Sequence, residues 1–139
     1  MTDKTILALV VSSSGLLQNG VLALMTTIPQ IGAVLVAEDI NSAKRLIENH
    51  QPTLIVMDMT LSKVKAVIKK TKVQYPHIHL IVLAEDPEQQ KQVEALGIKS
   101  VLLKGFSPEK FITTVETIIN CQEDTAQIQA NTEGGLEAN

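Results

Sequence analysis

Aromatic residues make up only 2% of this 139-residue chain: Trp is absent, and Tyr75, Phe106 and Phe111 complete the set. Stacking on a flavin, a base or a sugar ring therefore has little to work with. A single cysteine, Cys121, excludes an internal disulfide and fits a reducing, cytoplasmic setting. No apolar run approaches the ~20 residues that span a bilayer. The N-terminus also lacks the charged, apolar and small-residue order of a signal peptide. Strong charge of one sign is missing as well, the formal net charge being −3. Gln122–Asn139 carries −4 through Glu123, Asp124, Glu133 and Glu137, which leaves 12 basic and 11 acidic residues in 1–121. Such a balance argues against a membrane surface or direct nucleic-acid contact by this domain.

What the chain has in abundance is Val, Ile, Leu and Ala, grouped in short runs. Thr5–Val11, Ala33–Ala37, Thr53–Asp58, Leu80–Ala84 and Ser100–Leu103 are nearly continuous apolar segments that end at loop signals. Continuous apolarity over four to seven residues predicts strands buried on both faces, as in a parallel sheet. Helical patterns alternate with them. Leu16, Leu17, Val21, Leu24, Met25 and Ile28 share one face, and Ala43, Leu46 and Ile47 mark a second helix. Leu61, Val64, Val67 and Ile68 mark a third, with Lys65, Lys69 and Lys72 on its other side. The fourth, after Pro87, is mostly polar, with Val93 and Leu96 as contacts. The fifth carries the stripe Phe111, Ile112, Val115, Ile118 and Ile119, with Ser107 as N-cap and Pro108 at the first helical position. Five strands alternating with five helices imply right-handed crossovers and a doubly wound three-layer α/β sandwich. The pattern stops after Asn120. Residues 1–121 are expected to form one domain, and 122–139 a polar, acidic tail or linker without order.

Two charged side chains fall at the carboxyl edge of this expected sheet. "LIVMD" ends in Asp58 and "SVLLK" ends in Lys104. They could be solvated strand-end charges, a salt bridge, or a phosphorylation site with Asp58 as nucleophile and Lys104 pairing with a phosphoryl oxygen. "SSSGLL" after the first strand offers three further readings. Ser12–Ser14 could cap the first helix, could stand where acids once held an ion, or could cradle a phosphate in the manner of a flavodoxin loop. His77 and His79 lack an obvious third metal ligand. The lysines at 63, 65, 69, 70 and 72 crowd one helix, and the face shared by Lys65, Lys69 and Lys72 could meet an acidic partner or nucleic acid, although a solvated face is the commoner explanation. No Ser-His-Asp order, zinc spacing or glycine-rich nucleotide loop is present, so no enzyme is expected.

From Thr5 to Asn120 the order of elements resembles the receiver domain of two-component response regulators. "LIVMDMTLS" is similar to that family's phosphoacceptor strand and "VLLKGFSPEKFITTV" to its lysine strand and fifth helix, while "EALGIKSVLLK" keeps a glycine seven residues before the lysine. The resemblance implies strand order 2-1-3-4-5, with Asp58 as phosphoacceptor and Lys104 as the phosphate-pairing residue. It also implies departures. The acid pair that holds Mg²⁺ in the family falls on Ser12 and Ser13. The hydroxyl switch position falls on Leu83 or Ala84, the aromatic one on Val101, and the proline after the phosphoacceptor loop on Ser62. One anionic ligand with two hydroxyls suits Mg²⁺ poorly, and phosphoryl transfer depends on that ion. The expectation is a degenerate receiver with no cofactor, or Mg²⁺ only if the site works conventionally. Its partners would be a histidine kinase, an output domain or a second copy. They would meet it on the fourth-helix, fifth-strand and fifth-helix face, with Gln89, Gln92, Val101, Lys110 and Thr114.

Overall fold

In the computed structural model, which describes residues 5–60 and 63–120, the chain alternates strand and helix throughout. β1 (Ile6–Val11), α1 (Gly15–Met25), β2 (Ile31–Ala37), α2 (Ile40–His50) and β3 (Leu54–Asp58) come first. α3 (Val64–Gln74), β4 (His79–Ala84), α4 (Pro87–Ala95) and β5 (Ser100–Leu103) follow. A fifth helix, α5, runs over residues 108–120. All five strands are parallel, in the order β2-β1-β3-β4-β5. The expected tail, 122–139, as well as Cys121, Leu61 and Ser62, lies outside the described residues.

Two apolar layers close the sandwich. Beneath α1 and α5, the alternate residues Ala8, Val10, Leu54, Val56, Ile81 and Leu83 meet Val21, Met25, Phe111, Val115 and Ile119. On the opposite face Leu9, Val11, Ile55, Met57 and Val82 meet Ala43 and Ile47 of α2, Val64, Val67 and Ile68 of α3, and Val93 of α4. Period-two alternation in each strand sends successive side chains into opposite layers. Every position of β3 is buried for that reason.

Two expectations need correction. Neither edge strand is buried on both faces: most residues of β2, and all of β5 but Leu102, are exposed or half-exposed, because the two strands lie at the edges of the sheet. The interior pairs are the fully covered ones. Leu16 does not join the α1 core stripe but stands 87% exposed, one position before the half-buried Leu17. Ile28 is buried, yet it lies past the end of α1, in the turn before Pro29.

Candidate functional site

Parallel pairing sets the strand tips side by side at one edge, where loops rather than helices cover them. β3 pairs with β4 so that Asp58 stands opposite Leu83. Since Leu54 and Val56 project under α1 and α5, Asp58 projects the same way, at the top of that layer. Leu83 belongs to the same layer, which makes it, rather than Ala84, the strand-four side chain beside the carboxylate.

Asp58 is 1% exposed, so the solvated strand-end reading does not hold for it. A buried carboxylate must find donors within the protein. Asp58 finds four. Its Oδ1 accepts from the backbone N–H of Thr60 at 3.0 Å and from the Thr60 hydroxyl at 2.9 Å. The Lys104 ammonium reaches the same oxygen at 2.9 Å. Oδ2 accepts from the Ser12 hydroxyl at 3.1 Å. Burial pushes the Asp58 carboxyl up, but the bonds from Lys104 and Thr60 outweigh it and hold the group below its ordinary value. Lys104 shows the converse: its partial burial is outweighed by Asp58 and Glu85, and its ammonium is held above its ordinary value.

The three serines turn out to do different things. Ser12 is buried, gives its hydroxyl proton to Asp58 and accepts the backbone N–H of Ser14 at 3.1 Å. Its carbonyl accepts the side-chain amide of Gln18. Ser13 is exposed. Ser14 alone is the helix cap, accepting the N–H of Leu17 at 3.3 Å. An anion loop here would place a phosphate against the Asp58 carboxylate, which like-charge repulsion opposes.

Sequence reasoning passed over two participants. Thr60 supplies half of the donors on Asp58, and its position two residues past the aspartate is an Asx-turn signal that could have been read. Glu85 accepts from Lys104 at 3.0 Å, so one ammonium serves two carboxylates. Its own N–H donates to the Gln89 side chain at 2.8 Å. Nothing in the spacing of residues 85 and 104 announces that pairing.

Other expected features lie elsewhere. Val101 is half-buried and packs against the α2–α4 layer, away from the carboxylate. Burial pushes His79 below its ordinary value, and neighbouring His77 adds to the effect. Among the described residues no three His, Cys, Asp or Glu side chains cluster. No helix there is long and apolar enough to cross a membrane. A groove of about 440 Å³ opens beside the site, lined by Leu16, Leu17, Val21, Leu24 and Phe106 together with Lys104.

Solved structures with this architecture are numerous. The chain superposes on the receiver domain of RcsB from Salmonella enterica serovar Typhimurium with a TM-score of 0.72 at 17% identity, covering 86% of this chain and 89% of that one. The signal receiver domain of an HD domain-containing protein from Pseudomonas fluorescens gives 0.76 at 18% identity, covering 86% and 98%. The chain has the fold of a response-regulator receiver domain. The chemotaxis response regulator CheY4 of Vibrio cholerae is a further neighbour, with a TM-score of 0.72 at 20% identity over 82% of this chain and 98% of that one. Among curated proteins, the receiver-like chain is 34% identical over 76 residues to an uncharacterized transcriptional regulatory protein, YhcZ of Bacillus subtilis, covering 52% of this chain and 36% of that protein. It is 25% identical over 122 residues to the transcriptional regulatory protein DegU of Brevibacillus brevis, covering 85% and 52%. The chain thus spans about half the length, or less, of these relatives. No family model matches it.

Proposed function

We propose that this receiver-like domain regulates through protein contacts, with its Mg²⁺-dependent aspartyl phosphorylation lost or much weakened. The observation that carries the reading is the set of donors around Asp58. Both carboxylate oxygens are occupied by groups of the chain itself, and the positive charge beside them is an ammonium at 2.9 Å. A resident Mg²⁺ would find one carboxylate, the neutral hydroxyls of Ser12 and Thr60, and Lys104 already against Oδ1. Hard, octahedral Mg²⁺ wants more anionic oxygen than that. The donor set does not fit the ion.

A second reading, a conventional receiver phosphorylated on Asp58, is favoured by the Asp58–Lys104 pair, the arrangement that would hold a phosphoryl oxygen. Intact mass after incubation with acetyl phosphate and Mg²⁺ separates the two. The expected result is no gained phosphoryl group on the wild type. A gain that disappears in Asp58→Asn would overturn the proposal. In either case the partner would be a kinase, an output domain or a second copy, meeting the α4–β5–α5 face, where Gln92 and Lys110 are exposed and Gln89, Val101 and Thr114 half-exposed.

A further inference from the structure

The side chains by which the resemblance would carry a change at residue 58 outward are absent here: Leu83 has no hydroxyl and Val101 no ring. A different connection is present. Asp58 Oδ1 holds Lys104 Nζ at 2.9 Å, the same ammonium holds Glu85 Oε2 at 3.0 Å, and the Glu85 N–H is fixed at 2.8 Å by the side chain of Gln89. Gln89 lies in the first turn of α4, where its own N–H donates at 2.9 Å to the Asp86 N-cap. Three side chains, Asp58, Lys104 and Glu85, and then the Glu85 backbone N–H held by Gln89, therefore connect a buried carboxylate to a surface helix.

We propose that Glu85 is a positioning residue that couples the charge on Asp58 to the start of α4, with the Lys104 ammonium as the moving part. One ammonium shared by two carboxylates divides its attraction between them. When the charge at residue 58 falls, Lys104 gives its full attraction to Glu85 and tightens the β4–α4 connection. When that charge grows, Lys104 is drawn inward and the connection loosens. Coupling of this kind needs an element with two arrangements that both sites bias; in the proposal that element is the half-exposed Lys104–Glu85 bond, made here at 3.0 Å and open in the other arrangement. The inference rests on the geometry of the ion triad. It holds whether or not Asp58 accepts a phosphoryl group, so the mass experiment and the one below are decided separately.

Amide hydrogen exchange at Glu85, Gln89 and Gln90 reads the connection directly. In the wild-type background Asp58→Asn should slow exchange there by about fivefold, the low end of coupling between sites. In a Glu85→Gln background the same substitution should change it by less than about twofold. The difference should shrink in 1 M salt, because the outer bond faces solvent, whereas a merely structural role for Glu85 would not depend on salt. Equal effects of Asp58→Asn in both backgrounds, or none in either, would overturn the proposal. Should Asp58→Asn fail to fold, Lys104→Met is the second perturbation. It should speed exchange when Glu85 is present and leave it unchanged in Glu85→Gln; equal acceleration in both would overturn the proposal in the same way.

Discussion

A carboxylate that is 1% exposed and accepts four hydrogen bonds is costly to disturb from either side. Removing a single partner of a buried ion pair leaves its charge stranded, so Lys104→Met should destabilise the fold by about 3 kcal/mol. Ser12 and Thr60 still donate in that variant, which keeps the loss near the low end of the usual range. Urea unfolding of the single variant and of the Asp58→Asn/Lys104→Met pair tests this, the pair recovering part of the loss because no charge is left unpaired. The pH dependence has a defined sign. Asp58 is held below its ordinary value in the folded state, so its contribution is complete above the unfolded value of about 3.9 and is lost as pH falls through the folded one. Wild-type stability should therefore decline more steeply in that acid window than that of Asp58→Asn, and identical slopes would contradict the assignment. At this scale the sequence was only partly readable. Asp58, Lys104 and the serines could be placed at one edge, but the share of each serine in the bonding depends on the depth of its hydroxyl, which spacing does not encode.

At the scale of the element, the glycine seven residues before the lysine acquires a physical cause. α4 ends at its C-cap Leu96, and Gly97 follows with φ +92°, in the left-handed region where a Cβ is strained. The Gly97 N–H donates to the Glu94 carbonyl and the Ile98 N–H to the Val93 carbonyl, which together form a Schellman motif. Val93 and Ile98, the apolar pair that accompanies such a motif, are both buried in the α2–α4 layer. This closure aims the chain into β5 and so sets where Lys104 arrives. Gly97→Ala forces an L side chain into that backbone and should cost about 1–2 kcal/mol. Its Cβ would meet only the tip of Lys72, which can move aside. Thermal unfolding checks the magnitude, and a neutral result would mean the turn can re-form with negative φ. Helices and strands were the most legible elements, because the two apolar layers impose periods near 3.6 and 2 on them. The exposure of Leu16 and of β2 was not legible: an apolar residue facing outward or at a sheet edge reads the same as one facing in.

For the whole molecule, alternation of strand and helix was sufficient to imply the doubly wound sandwich, since right-handed crossovers leave few other arrangements. Pairing register was the missing quantity. It puts Leu83 rather than Ala84 beside Asp58 and brings Glu85 onto a lysine 19 residues away. If the fold itself is intact for metal chemistry and only the anionic ligands are missing, returning them should return the ion. Ser12→Asp/Ser13→Asp places two carboxylates at the tip of β1, one within about hydrogen-bonding distance of Asp58, where Ser12 Oγ now lies at 3.1 Å. Without metal this variant should be less stable than wild type, because like charges crowd a dry site. With Mg²⁺ at a hundred times its Kd it should regain about 2.7 kcal/mol, on the order of 10 °C in Tm, while the wild type should not respond. Restored binding would still leave Leu83 and Val101 in place, so any consequence at α4 would have to pass through Lys104 and Glu85. A Tm of the double variant indifferent to Mg²⁺ would mean that the Lys104 ammonium, rather than the loss of the acids, keeps the ion out.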